Sequence, residues 1–352
     1  MLTLPRRRLQ LAMLAALVLF STSFARAQDQ QAASGTLKIG FLMDSLKIER
    51  WQTDLDKFQK RATELGAQVL VETAEGDDEL QLQQAQKLLA AGVKALVLVP
   101  HDADKAVRIV NAANAKKVPL LCYERLVRDP DVSFYIGVDA SAVGFLQASS
   151  LIQRAPKGNY VVIGGSPKDS NAITLHDTQM RVLKAPVDRG DIKIVSDTWS
   201  KDWDPSEAYA HMSAAIESTK GDIVAVVAAN DGTAGGVIQA LEEHKLAGKV
   251  LVSGQDADLA AIIRILEGTQ TMTVYKPIGS QAKVAAETAV AAAKGEAVKT
   301  TSRITLGDKT IPAIFLPPVV VTKGNVKETV IKDGFQNLET IQKSLPKEKW
   351  PQ

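Results

Sequence analysis

The sequence predicts an α/β protein of two similar lobes, each a parallel sheet flanked by helices. Three observations lead there. Short β-branched runs alternate with helical patterns almost without interruption from 37 to 294, the mark of parallel sheets covered on both faces. The beat restarts near Gly137-Val138, dividing the chain into two runs of four or five strand–helix units. Three strands of the second run also end in polar residues at a regular pitch: 223–229 runs into Asn230-Asp231, 250–254 into Gln255-Asp256, and 271–275 into Lys276-Pro277. Carboxyl ends of strands in an open α/β sheet face the ligand crevice. One amide, one carboxylate and one ammonium are therefore expected to converge on a small polar molecule.

The elements follow in order. A polar linker over 29–35 leads into strand 37–43 and a helix over 49–65. Strand 68–72 and helix 79–91 come next, then 95–99, an apolar run of the length of a buried parallel strand, and helix 103–115. Strands 120–123 and 134–138 close the first run. The second opens with helix 140–154, strand 160–164, helix 171–183, strand 192–197 and a helix over 205–218 that starts at Pro205. Beyond the three strands above, helix 281–294 carries a face of alanines (Ala282, Ala285, Ala286, Ala289, Ala293) suited to close packing. After Gly295 the beat is lost. The run 313–322 reads as a strand, but Pro317-Pro318 inside it demotes it to an edge or a crossover. The Lys-rich stretch 338–352 is expected to be a mobile tail.

The 352 residues suffice for two domains with cores of their own. Residues 1–27 read as a signal peptide: Arg6-Arg7-Arg8, the apolar run 9–20, and Ala25-Arg26-Ala27 before Gln28. An apolar run of about a dozen residues is too short to span a bilayer. Cleavage removes Arg6, Arg7, Arg8 and Arg26 and no acid, so 38 basic residues face 40 acidic ones and the formal +2 becomes −2. A nearly neutral chain without a Lys/Arg stripe offers no electrostatic footprint for nucleic acid. Cys122, the single cysteine, lies inside the apolar stretch 118–123, so a small buried hydrophobe is the expected role and no intrachain disulfide forms. No cysteine follows the cleavage site, which argues against a lipoprotein. Export without disulfides points to a bacterial periplasm.

Catalytic readings fail one by one. His101, His176, His211 and His244 are scattered, with no metal-ligand spacing, and read as solvated surface residues. No metal and no cofactor is expected. Gly164-Gly165-Ser166-Pro167 resembles a nucleophile elbow, but Lys168 stands where the last glycine is required. A tight turn that brings backbone close to a ligand is the better reading. The Gly-rich 230–236 lacks both phosphate-binding patterns. Among the acids, Glu49, Glu124, Asp256 and Asp258 suit a pocket, yet Arg50 follows Glu49 and Arg125 follows Glu124. A carboxylate beside a guanidinium stays ionised and makes a poor general acid. The chain is therefore expected to be a binder and not an enzyme. A neutral polyol fits the polar strand ends, because each hydroxyl needs both donors and acceptors and charged partners bind it best. Sugars also carry apolar faces that pack on aromatic rings. Trp51 and Trp203, each at the start of an element, are placed for that role.

Several segments carry a family resemblance: Glu49-Arg50-Trp51-Gln52, Tyr123-Glu124-Arg125, Gly164-Gly165-Ser166-Pro167, Asn230-Asp231, Ser253-Gly254-Gln255-Asp256-Ala257-Asp258-Leu259, and 268–277 (Gly-Thr-Gln-Thr-Met-Thr-Val-Tyr-Lys-Pro). Together they resemble the periplasmic D-xylose-binding proteins of bacterial ABC sugar importers, within the type I periplasmic sugar-binding family, from about Lys38 to Phe335. The resemblance implies two Rossmann-like lobes joined by a three-crossing hinge: 36–137 with 277–306 as the first, 138–276 with 307–337 as the second. It implies first-lobe contacts from Arg50, Trp51, Glu124 and Arg125, second-lobe contacts from Asn171, Trp203, Asn230 and Asp256, and Lys276 at the hinge. Trp51 and Trp203 would sandwich the ring. The implied function is capture of a monosaccharide, D-xylose first, by a monomer in the periplasm, with delivery to a membrane permease of an ABC importer. Another aldose (arabinose, glucose, galactose) and a ligand-carrying role for a chemotaxis receptor stay open, and a secreted glycosidase ranks below them. A sugar-responsive transcription regulator would need a helix-turn-helix where the signal peptide stands. Two departures matter. The family usually has Asp where this chain has Glu124, moving the carboxylate by roughly 1.5 Å, enough to change which sugar is preferred. Val138-Asp139-Ala140 replaces the usual Asp-Asn ending of that crossing, so its hydrogen bonds are expected to differ.

Overall fold

Two parallel sheets with the same strand order carry the architecture. The computed structural model describes residues 36–48 and 50–351; the expected signal peptide, the linker 29–35 and Glu49 lie outside the described residues. In the first sheet, β1 (Leu37–Met43), β2 (Ala67–Thr73), β3 (Ala95–Leu98), β4 (Leu120–Tyr123) and β5 (Phe134–Val138) stand in the order β2-β1-β3-β4-β5. In the second, β6 (Gly158–Gly164), β7 (Ile192–Trp199), β8 (Ala225–Ala228) and β9 (Leu251–Val252) stand in the order β7-β6-β8-β9. A single bridge from Gln255 to Val274 carries that order on to β10 (Thr273–Tyr275). Every residue of β3, β4 and β8 is buried, which is why these strands are continuous apolar runs without alternation.

Helices cover both sheets. They are α1 (Arg50–Glu64), α2 (Asp78–Ala90), α3 (Val107–Ala115), α4 (Ala140–Arg154), α5 (Ser170–Asp188), α6 (Pro205–Thr219), α7 (Asp231–Glu243), α8 (Leu259–Glu267) and α9 (Ile278–Ala293). Side-chain caps fix several starts: Asp139 accepts from Ser141 N, Asp169 from Asn171 N, and Asp204 from Ser206 N with Pro205 following it. Asn230 and Thr233 form a reciprocal capping box on α7. The helix expected over 103–115 starts only at Val107, because Asp102 takes the amides of Asp104 and Lys105 into a local turn. Cys122 is fully buried, and burial pushes its thiol up to about 12. No described helix is long and apolar enough to cross a membrane.

The chain passes between the sheets three times. It leaves the first after Val138 to form α4. It returns after Lys276-Pro277 to form α9, which packs on α1, where Arg61 donates to Glu287 at 2.7 and 2.9 Å. The third crossing corrects an expectation. Residues 307–337 are expected wholly in the second lobe, but β12 (Lys309–Leu316) pairs in parallel with β5 and belongs to the first sheet. It forms a hairpin with β11 (Ser302–Leu306), turned by Gly307 at φ 62° and Asp308. The crossing falls at Pro317-Pro318, whose missing amides end the ladder. Then β13 (Val319–Val321) pairs with β10. The expected mobile tail is also corrected. It forms α10 (Leu338–Ser344), with Ile341 and Leu345 buried and the Trp350 indole donating to Gln342 O and Leu345 O.

Candidate ligand-binding site

Strand ends and helix starts of both sheets deliver the site. Arg50 and Trp51 begin α1, Glu124 and Arg125 follow β4, Asn171 sits in the first turn of α5, Trp203 lies in the short turn before α6, and Asn230 caps α7. Asp256 follows β9, and Lys276 follows β10. All nine expected residues line one cavity of about 300 Å³, together with Ile48, Asp169 and Gln255.

An ion network holds the cavity wall. Arg50 grips Asp54 with two hydrogen bonds (3.0 and 2.9 Å) and reaches Glu124 at 3.1 Å and Asp256 at 3.6 Å. Lys276 contacts the same Glu124 oxygen and, at 2.9 Å, Asp256. Gln281, in the first turn of α9, donates to the other Glu124 oxygen at 2.8 Å. Burial would raise the Glu124 carboxyl, but Arg50 and Lys276 hold it at about 2. Burial does prevail at Asp54 and Asp169, whose carboxyls stand above the ordinary range despite Arg50 and Arg125. Arg125 spans Asp44 and Asp169, each at 2.7 Å. The guanidinium of Arg50 lies 4.8 Å, and that of Arg125 5.4 Å, from the centre of the Trp51 ring, so this indole is held by cation–π contact.

The neighbours in sequence are thus not the partners in space. Glu124 pairs with Arg50 and Lys276, not with Arg125, and the sequence-adjacent pairing that kept the acids ionised is corrected to this network. Asp44, Asp54, Asp169, Gln281 and Tyr123, whose hydroxyl donates to Asp54, were not anticipated. Asp44 had a signal, since it follows β1 as Asn230 follows β8. Asp54 had one too, four residues after Arg50 on a helix. His244 is exposed as expected, but the other three histidines need correction. His101 is 6% exposed, with Nδ1 2.9 Å from Asp44, and that hydrogen bond raises its pKa. His176 meets Asp197 and packs on Trp199, and His211 contacts Trp199 O. Among the described residues, no group of three or more His, Cys, Asp or Glu is arranged to hold a metal.

Gly164-Gly165 also has a different reason from the one expected. A Cβ on Gly164 would lie 2.9 Å from the Trp199 ring, and one on Gly165 2.3 Å from the Trp203 ring. The glycines seat tryptophans. Ser166 Oγ is buried without a hydrogen-bond partner.

Three lining residues carry strained backbone: Glu124 (φ 64°), Trp203 (φ 61°) and Asp256 (φ 98°). Such conformations cost about 1–3 kcal/mol each and persist where the surroundings fix them. Glu124 is fixed by its amide to Ile136 O and by its carbonyl, which accepts from Tyr135 Oη at 2.8 Å and Asn171 Nδ2 at 2.6 Å. That last bond joins the two lobes, as do Arg125–Asp169, Ser170 with both backbone groups of Leu126, and Ala103 N to Lys168 O at 3.1 Å. The lobes are closed on each other. Inside, the lining charges balance, with Arg50, Arg125 and Lys276 against Glu124, Asp169 and Asp256. Yet the indole nitrogens of Trp51 and Trp203 and Asp256 Oδ1 are buried without a directed hydrogen bond.

Comparison with known proteins points the same way. The periplasmic binding protein domain model matches residues 39–297. The chain is 44% identical over 331 residues to the D-xylose-binding periplasmic protein of Haemophilus influenzae, covering 94% of this chain and 97% of that one. It is 47% identical over 299 residues to the D-xylose-binding periplasmic protein of Escherichia coli, covering 85% and 91%. A solved carbohydrate transporter solute-binding protein from Chloroflexus aurantiacus, in complex with D-glucose, superimposes with a TM-score of 0.81 at 27% identity, covering 87% of this chain and 98% of that one.

Proposed function

Since the chain belongs to the periplasmic binding protein domain family, we propose that it captures D-xylose in the periplasm and delivers it to the membrane permease of an ABC importer. The carrying observation is the cavity whose lining charges cancel beside two buried indoles, Trp51 and Trp203. A balanced lining disfavours sugar acids and phosphates, and cationic donors beside anionic acceptors suit a ligand whose groups both donate and accept. A neutral sugar does this at every hydroxyl. Trp51 and Trp203 would pack on its apolar faces, and Asn230, with Oδ1 taken by Thr233 N, would offer its Nδ2. D-xylose comes first because the relatives at 44% and 47% identity carry that name. Closure around the sugar would bury it and present a composite surface to the permease. No group in the cavity is arranged to cleave a bond, so capture without turnover is the expected behaviour.

A second reading keeps the mechanism and changes the sugar, favoured by Glu124, whose longer side chain reaches Lys276 and Gln281. A thermal-shift and calorimetric panel of D-xylose, L-arabinose, D-glucose and D-galactose decides between them. D-xylose should raise Tm most and bind in a single site. A larger shift by another aldose selects the second reading, and a flat panel removes both.

A further inference from the structure

We propose that Gln336, in the C-terminal segment beyond β13, is a positioning residue for the ligand site, holding the strained turn that presents Asp256. The turn is unusual. Asp256 and Ala257 both have positive φ, 98° and 58°, without being glycine. Its amides are tied inward to β10: Asp256 N donates to Val274 O at 2.9 Å, and Ala257 N to Thr273 Oγ1 at 3.3 Å. The carbonyl of Ala257 is bound from outside, by Gln336 Nε2 at 2.9 Å, with Gln336 only 9% exposed.

The same segment also reaches the other cavity-lining residue of this edge. Tyr275, the chain neighbour of Lys276, stacks on Phe335 with ring centres 5.1 Å apart, and its hydroxyl bonds Asp333. Ala257 and Tyr275, which flank Asp256 and Lys276 in the chain, are both buried in one cluster with Val326, Val330, Ile341 and Leu345. The C-terminal segment therefore clamps from behind the two residues whose charged ends meet at 2.9 Å in the cavity. A strained turn holds its conformation only while its surroundings determine it. Without the Gln336 bond, the carboxylate of Asp256 loses its fixed aim.

The proposal rests on reading Asp256 as a ligand contact, and two measurements separate its fate from that reading. Gln336→Met keeps the volume and removes the donor. In ligand-free protein, the amides of Asp256 and Ala257 should exchange with deuterium at least about tenfold faster, while those of Val226–Ala228 stay unchanged and Tm moves little. Unchanged exchange in the turn overturns the positioning role whatever the ligand proves to be. With D-xylose, Gln336→Met should weaken binding about fivefold to tenfold, the effect of one lost buried hydrogen bond. The same substitution on an Asp256→Asn background should cost little more, because both act through one carboxylate. Additive losses would mean that Gln336 acts elsewhere and overturn the proposal. Faster exchange in a protein that binds no sugar overturns the sugar reading and leaves the turn-holding role standing.

Discussion

Both carboxylate oxygens of Glu124 are engaged, one by Arg50 and Lys276 and the other by Gln281, so its side-chain length matters at the scale of single bonds. Glu124→Asp would draw the carboxylate back from the partners on the returning segment. A buried partner left unmet costs about 1–3 kcal/mol. D-xylose affinity is therefore expected to fall at least about fivefold by calorimetry; tighter binding would instead mark Glu124 as drift from an Asp-based site. The same residue predicts acid behaviour. Its folded pKa of about 2 lies below the ordinary 4.5, so the stability it contributes is complete above about pH 4.5 and is lost as pH falls toward 2. Asp54 and Asp169 are shifted upward and oppose this, since protonation relieves their burial. Tm should fall on acidification through this window, and Glu124→Gln should flatten that part of the profile.

Among the elements, the turn after β6 decides where an indole stands. Gly165→Ala would put a methyl 2.3 Å from the Trp203 ring, and the ring must move out of its seat. Sugar binding should drop at least tenfold, as for Trp203→Ala, with the far-UV spectrum unchanged; retained affinity would remove Trp203 from the ligand's contacts. The elements also show what could be read in advance. Asn230, Asp256 and Lys276 were legible because each ends a β-branched run and strand ends converge in this class of sheet. Asp44 ends β1 in the same way but was passed over. The distant partners of Arg50 were not legible, because Glu124 and Asp256 reach it only through folding. The β11–β12 hairpin was missed although Leu306-Gly307-Asp308-Lys309 is a two-residue turn between alternating runs. The tail misled for a physical reason. Its lysines face solvent, while the few apolar residues among them, Ile341, Leu345 and Trp350, do the packing.

For the whole molecule, the contacts that join the lobes set how readily the cleft closes. Arg125–Asp169 is a buried pair across that boundary, and Asp169 also caps α5. Asp169→Asn keeps a good cap and removes the charge, so the helix should survive while closure is penalised. D-xylose affinity should fall about tenfold, mostly through a faster off-rate in stopped-flow fluorescence. An unchanged off-rate would place the lock elsewhere. The crossings govern the motion itself. Pro277, Pro317 and Pro318 occupy two of the three straps, and each ring fixes its own φ. Rotation between the lobes is left to ψ in those straps and to the Val138-Asp139 link. This confinement should restrict opening to a narrow arc, leaving little orientational freedom to be lost when the cleft shuts. Replacing Pro317-Pro318 with alanines should widen the spread of inter-lobe spin-label distances in the open form without lengthening their mean by much. The two prolines that interrupt a strand in the sequence would then be the part that makes each closure resemble the last.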